Sequence, residues 1–347
     1  MTQQADEPAT VQRVVLFDED DPLTLACGRT LAPVTVAYAT YGTPDADASN
    51  AVFVCHALTG DARASGPGGW WTTMVGPGRP IDTDRFFVIC PNLLGGCQGT
   101  TGPTSLDFPP LAIADLVAVH RRLLAHLGIE RLAVAIGGSM GGMQVLQWLI
   151  DAPGEVERAV MVCASSRLSA QNLALSHVAR RAILDDPDPR RGMATARRLA
   201  HVTYLSERGM AEKFPRAEPP GWAEVQDARA WLAPVYDVET YLEHQARIFD
   251  QRFDPYSYLY LTRVMDAFDP FGGGPGSVSL DPTARALVIS FDSDWRFGTE
   301  HSRALAAGLR AGGLTHVEEH VVASPHGHDS FLLDVPEYLD LVRAFVR

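Results

Sequence analysis

The chain has 347 residues, 46% of them hydrophobic and 20% charged, with a formal net charge of -13 and a pI near 5.2. So acidic a balance excludes functions built on broad electrostatic attraction to nucleic acid or to an anionic membrane. The length allows a large core, as one domain or as a core carrying an insertion. Five scattered cysteines (Cys27, Cys55, Cys90, Cys97, Cys163) suggest neither a disulfide framework nor a C-x-x-C metal site, so reduced thiols are expected.

The N-terminal M-T-Q-Q-A-D-E-P-A-T is polar and acidic, without a positive n-region or an apolar h-region, and is expected to stay outside the fold. No apolar stretch of about 20 residues follows, and a cytoplasmic protein is the expectation. Residues 12–17, 23–26 and 34–39 read as β-rich segments between turn signals, an antiparallel entry to a sheet. Residues 51–55 form an apolar strand running into H-A-L-T-G-D, and 85–90 another running into P-N-L-L-G-G-C-Q-G-T-T-G-P-T-S. Residues 111–127 carry a helical stripe of Leu116, Val119, Leu123 and Leu127, ended by Gly128. His120 and His126 in that helix are read as a surface residue and a helix-end residue, without a role.

Residues 132–149 read L-A-V-A-I-G-G-S-M-G-G-M-Q-V-L-Q-W-L: a buried strand, a glycine-rich turn and an apolar helix. The G-x-S-x-G at the turn is a nucleophile elbow, which lifts the Ser139 hydroxyl above the sheet edge. Its next N–H, that of Met140, opens the helix and points to where an oxyanion would form. A strand at 157–163 completes a β-α-β unit. From 165 to 271 the pattern is helical throughout, punctuated by D-D-P-D-P, F-P-R-A-E-P-P-G and F-D-P, with F-G-G-G-P-G as an exit hinge. Strands at 286–291 and 317–322, and helices at 299–309 and 336–347, resume the α/β pattern. The expected organisation is therefore an α/β core, 1–164 with 277–347, and an inserted helical lid, 165–276. The loops after Cys55, Cys90 and Ile136 all leave strand C-terminal ends, the edge where open α/β sheets bind ligands.

A serine hydroxyl needs a base, and the base an acid to hold its tautomer. Elbow folds order these as Ser, acid, His along the chain. Asp292 and Asp294 both follow the strand at 286–291, and His326 and His328 the strand at 317–322; spacing does not choose within either pair. A metal site from His326, His328 and Asp329 lacks further ligands at suitable spacing. The second oxyanion donor is expected in H-A-L-T-G, with the Leu58 N–H as candidate.

These residues resemble the homoserine O-acetyltransferase branch of the α/β-hydrolase superfamily. The likeness runs through H-A-L-T-G-D, N-L-L-G-G-C-Q-G-T-T-G-P, G-G-S-M-G-G-M-Q, S-A-Q-N, K-F-P-R, R-F-D-P-Y-S-Y-L-Y-L-T, D-S-D-W and G-H-D-S-F-L. It implies an α/β-hydrolase fold, Asp294 as the acid and His328 as the base. It further implies that Arg216, in K-F-P-R, pairs with the homoserine carboxylate and that Asp329 holds the amino group. Acetyl-CoA is the implied co-substrate, with no bound cofactor or metal; a homodimer and a place in methionine synthesis follow from the same likeness. Sister succinyl-CoA or serine transferases and a plain esterase are the rival readings. The chain departs from the family in Pro215, where glycine is usual, and in a shorter passage into the helix at Leu111.

Overall fold

The computed structural model describes residues 10–217, 221–274 and 276–347. The N-terminal segment 1–9, part of F-P-R-A-E-P-P-G (218–220) and residue 275 of the exit hinge lie outside the described residues. Eight strands form one sheet: β1 (Gln12–Phe17), β2 (Val34–Tyr41), β3 (Ala51–Cys55), β4 (Phe87–Pro91), β5 (Leu132–Gly138), β6 (Val156–Val162), β7 (Arg285–Phe291) and β8 (His316–Val322). Their spatial order is β1-β2-β4-β3-β5-β6-β7-β8. β1 with β2 and β2 with β4 are antiparallel, as the entry segments suggested; the other pairs are parallel. Of the expected strand at 23–26 only Leu23–Thr24 pairs, in a two-residue ribbon with Thr30–Leu31.

Every residue of β3 and β5 is buried, whereas the edge strands β1 and β8 keep exposed positions. This is why the central strands read as continuous apolar runs. On one face Phe53 and Ala135 pack with α1 (Ile113–His126), α2 (Met140–Asp151) and later α9 (Thr299–Ala311). On the other, Val52, Val54, Val134 and Ile136 meet Trp71 and α10 (Pro336–Phe345), which contributes Tyr338 and Val342.

His120 corrects one expectation: it is fully buried, its ring 5.0 Å from Phe53 and 6.0 Å from Trp148. It stands four residues after Leu116 and three before Leu123, so the apolar stripe should have claimed it. Burial lowers its pKa to about 4. His126 is exposed in the last turn of α1, as expected.

Between β6 and β7 the chain is helical: α3 (Ala170–Asp185), α4 (Pro189–Tyr204), α5 (Glu207–Lys213), α6 (Ala228–Trp231), α7 (Asp237–Asp250) and α8 (Pro255–Asp266). The D-P punctuation marks helix starts. Asp188 and Asp254 accept hydrogen bonds from first-turn N–H groups, and each is followed by a proline at N1. α3 and α8 are joined by a buried Arg180–Asp266 pair at 2.6 Å, and α8 sets Leu261 into the core beneath. Among the described residues no helix is long and apolar enough to cross a membrane.

Candidate active site

Ser139 caps α2 with φ 57° and ψ -124°, a strained backbone that a non-glycine residue adopts only where its surroundings enforce it. The enforcement comes from close packing. A Cβ on Gly141 would lie 2.0 Å from the Cys55 carbonyl oxygen, so the helix can begin against the end of β3 only with glycine there. The Ser139 N–H donates to the Val162 carbonyl at 2.8 Å and ties the elbow to β6.

His328 Nε2 lies 2.9 Å from Ser139 Oγ, and its Nδ1 2.7 Å from Asp294 Oδ2. All three residues are buried. The other Asp294 oxygen accepts from the Arg296 and Phe297 N–H groups, both at 2.9 Å. Burial opposes ionisation of Asp294, but the His328 ring and these N–H groups outweigh it and hold the carboxyl below its usual range. With Nδ1–H donated to Asp294, Nε2 faces the serine as an acceptor. Of the alternatives left open by spacing, Asp292 is exposed and accepts from the Ser324 N–H, and His326 is exposed.

Neither the Leu58 nor the Met140 N–H has a backbone acceptor among the described residues, and Leu58 lines the cavity over Ser139. One buried side chain spans the two segments that carry them. Gln144 Nε2 donates to the His56 and Met140 carbonyls, each at 3.1 Å, while Oε1 takes the His120 Nε2–H at 2.9 Å. The loop after β3 and the first turn of α2 are thus locked by one amide, with His120 fixing its orientation. Gln144→Leu would leave the His120 Nε2–H and the His56 carbonyl buried and without the amide that partners them, at roughly 1–3 kcal/mol each. Its expected result is a kcat about tenfold lower with an unaltered KM for the acceptor, the mark of misplaced oxyanion donors. A rise in KM at constant kcat would remove Gln144 from that role.

Above Ser139 lies a cavity of about 160 Å³, whose lining includes Arg197, Arg252, Arg296, Tyr204 and Asp329. Asp329 follows His328 directly, and burial pushes its carboxyl up while His328 and Arg197 pull it down. Arg216 is not brought here. It is exposed, its guanidinium 5.9 Å from the Tyr236 ring, beside a separate cavity lined by Phe214, Tyr236 and Val238. The cation the sequence reading missed is Arg197 on α4. It is 9% exposed, held 4.4 Å from the Phe249 ring, and its Nε and Nη1 have no hydrogen-bond partner among the described residues. Its signal was an arginine inside the buried stripe Met193, Ala196, Ala200.

Among the described residues, the ligand atoms of His326, His328 and Asp329 are not brought within 4.8 Å of one another. Cys163 does approach Asp294 and His328, their ligand atoms lying within 4.8 Å of one another. Both His328 nitrogens are engaged within the relay, and burial followed by the Asp294 charge pushes the Cys163 thiol up.

Sheet order and the strained strand-to-helix elbow define the chain as a protein of the α/β-hydrolase fold. The family model described as alpha/beta hydrolase fold matches residues 50–335. A homoserine O-succinyltransferase of Nocardioides sp. is 51% identical, the match covering 96% of this chain and 97% of the relative. A homoserine O-acetyltransferase of Rhodopseudomonas palustris is 44% identical, covering 99% and 92%. The crystal structure of homoserine O-acetyltransferase from Bacillus anthracis superposes with a TM-score of 0.86 at 24% identity, over 98% of each chain. The chain belongs to the homoserine O-acyltransferase family of α/β hydrolases.

Proposed function

We propose that this protein transfers the acetyl group of acetyl-CoA to the hydroxyl of L-homoserine through an acetyl-Ser139 intermediate. The observation that carries the reading is that the cavity above Ser139 is lined by both a carboxylate, Asp329, and a buried guanidinium, Arg197, whose Nε and Nη1 have no hydrogen-bond partner among the described residues. A free amino acid carries one anionic and one cationic end, and this pair complements both. A simple ester offers neither charge, so an esterase has no use for the pair.

His328 Nε2 takes the Ser139 proton as Oγ attacks the thioester carbon, and the Leu58 and Met140 N–H groups hold the oxyanion. Collapse breaks the C–S bond, and His328 returns the proton to the departing thiolate. Homoserine then enters between Arg197 and Asp329. His328 removes its hydroxyl proton, the alkoxide attacks the acetyl-serine, and collapse restores Ser139 with that proton. The helical segment 165–276 acts as a lid that excludes water, since water and an alcohol are both competent acceptors of the acyl group. The reading extends to a cytoplasmic homodimer in methionine synthesis, without resident cofactor or metal and without nucleic-acid or membrane partners.

A second reading has its own support. Arg252 and Arg296 line the same cavity, two guanidiniums beyond the one that a homoserine carboxylate requires. A succinyl donor brings a further carboxylate, and the Nocardioides relative is a homoserine O-succinyltransferase. Thiol release from acetyl-CoA and succinyl-CoA, each with L-homoserine, L-serine or no acceptor, tests both. Homoserine-dependent release from acetyl-CoA supports the first reading. A kcat/KM at least tenfold higher with succinyl-CoA transfers the assignment to the second, and release without acceptor makes the protein a hydrolase.

A further inference from the structure

Asp294 and His328 stand on separate loops, and the strands that carry them stop pairing at Phe291 of β7 and Val322 of β8. Side chains tie the loops together near their roots. The Gly327 N–H donates to Ser293 Oγ at 2.9 Å, Ser293 Oγ to the Ser324 carbonyl, and the Ser324 N–H to Asp292 Oδ1 at 2.9 Å. Beyond these bonds the spacing of Asp294 and His328 depends on what packs against the loops from outside.

The outside partner is the corner between α4 and α5, residues 203–206, in the helical segment between β6 and β7. The last carbonyls of a helix lack partners within it, and here the Leu205 carbonyl takes the Trp295 Nε1–H at 3.0 Å. Thr203 Oγ1 accepts from Arg296 Nη1, also at 3.0 Å. Arg296 is thus bound to the corner by its side chain and to Asp294 by its main-chain N–H. On the other side Ser206 Oγ accepts from the Gly209 N–H at 2.9 Å, which caps α5, and donates to the Pro325 carbonyl. The backbones meet at Gly327, with φ 68°. A Cβ there would lie 2.6 Å from the Ser206 nitrogen and 2.7 Å from the Tyr204 carbonyl oxygen, so only glycine fits before His328. The Tyr204 ring then stands 5.9 Å from the His328 imidazole. Thr203 and Ser206 are both buried, so each lost bond would leave a desolvated polar group behind.

We propose that the α4–α5 corner is a clamp that sets the separation of Asp294 and His328, which makes Thr203 and Ser206 positioning residues for the base. The assignment rests on the reading of His328 as the base for Ser139. One corner holds both loops, so the helices that cover the cavity and the base that works beneath them form one unit. A corner displaced from Pro325 and Trp295 takes His328 off the line between Asp294 and Ser139. Activation of a hydroxyl is thereby confined to the covered site, from which bulk water is excluded.

The test is acylation of Ser139 by p-nitrophenyl acetate, which needs the base but no acceptor, in Ser206→Ala and Thr203→Val. Each is expected to lower the acylation rate about tenfold at an unaltered KM for the ester, the scale of a sub-ångström misplacement. The far-downfield proton resonance of the His328 Nδ1–H bound to Asp294 should shift or broaden in the same variants. Ser206→Thr, which keeps the hydroxyl, should return the resonance and bring the rate to within about threefold of wild type. Asp188→Ala removes the cap of α4 at the end remote from the corner; it should lower Tm and leave rate and resonance in place. Wild-type acylation with an unmoved resonance in either folded variant overturns the proposal, as does an equal loss of rate in Asp188→Ala. Should Ser206→Ala fail to fold, Thr203→Val, which keeps the side-chain shape and removes no cap, carries the comparison. A wild type that is acylated yet makes no acyl-homoserine sinks the transferase reading, while these measurements still decide the clamp. A wild type without the resonance has no acid–base bond to set, and overturns the clamp itself.

Discussion

Asp294→Asn lowers kcat by about 10³–10⁴, the scale set by the equivalent change in a serine-protease triad, with a far-UV spectrum and Tm close to wild type. The cause is the tautomer. Asp294 accepts the Nδ1–H of His328 at 2.7 Å and leaves Nε2 as the base facing Ser139; an amide at 294 can instead donate its N–H, reverse the tautomer and turn a proton toward the hydroxyl. The carboxyl of Asp294 is held ionised, since the His328 ring and two N–H groups outweigh its burial. The effect therefore persists across neutral pH. Asp292→Asn is the control, because that side chain is exposed and only caps the Ser324 N–H. Its kcat should stay within about threefold of wild type, the range of surface changes away from a site. A larger effect at 292 than at 294 would reverse the assignment of the acid.

Arg197→Met raises the KM for homoserine by about 100-fold while leaving acylation of Ser139 by p-nitrophenyl acetate intact, as loss of one member of a desolvated charge pair predicts. Stability moves the other way. The guanidinium is buried, with Nε and Nη1 unpartnered among the described residues, so methionine removes an uncompensated desolvation cost, and Tm should be equal or higher. A merely structural arginine would give the opposite pattern, a lower Tm and an unaltered KM. The defect should also grow at acid pH. Burial already pushes the Asp329 carboxyl up, and Arg197 is one of the cations restraining it; without Arg197 that carboxyl protonates at higher pH and stops attracting the substrate ammonium. Arg216→Met, at an exposed site stacked on Tyr236, should leave the KM within about threefold. Should Arg216 rather than Arg197 carry the KM effect, the carboxylate lies elsewhere than in the cavity over Ser139.

The two arginines show where a sequence stops being sufficient. Elements made by near neighbours were legible: the apolar runs at 51–55 and 132–136 became β3 and β5, and the G-x-S-x-G turn became the strained Ser139 backbone. Such features depend on side-chain period and on which φ, ψ values glycine permits, both written within a few residues. The order Ser, acid, His was legible for the same reason, because it follows the order of strand ends along the chain. Spacing alone left Asp292 beside Asp294 and His326 beside His328; family resemblance chose between them, and in the structure His328 lies within hydrogen-bond distance of both Asp294 and Ser139.

The assembly of the substrate cavity was not legible. Periodicity tells which face of α4 is buried, and Arg197 stands on that face among Met193, Ala196 and Ala200. It does not tell that the face covers Ser139, because that depends on how α3, α4, α7 and α8 pack over a sheet formed by residues both before and after them. His120 failed for a related reason: an imidazole in an apolar stripe is stable only where a distant amide, here Gln144, takes its N–H. Local sequence determined the strands, the elbow and the chemistry available at each loop. Tertiary structure decided which charged side chains face that chemistry, since burial of a polar group is settled by partners remote in sequence.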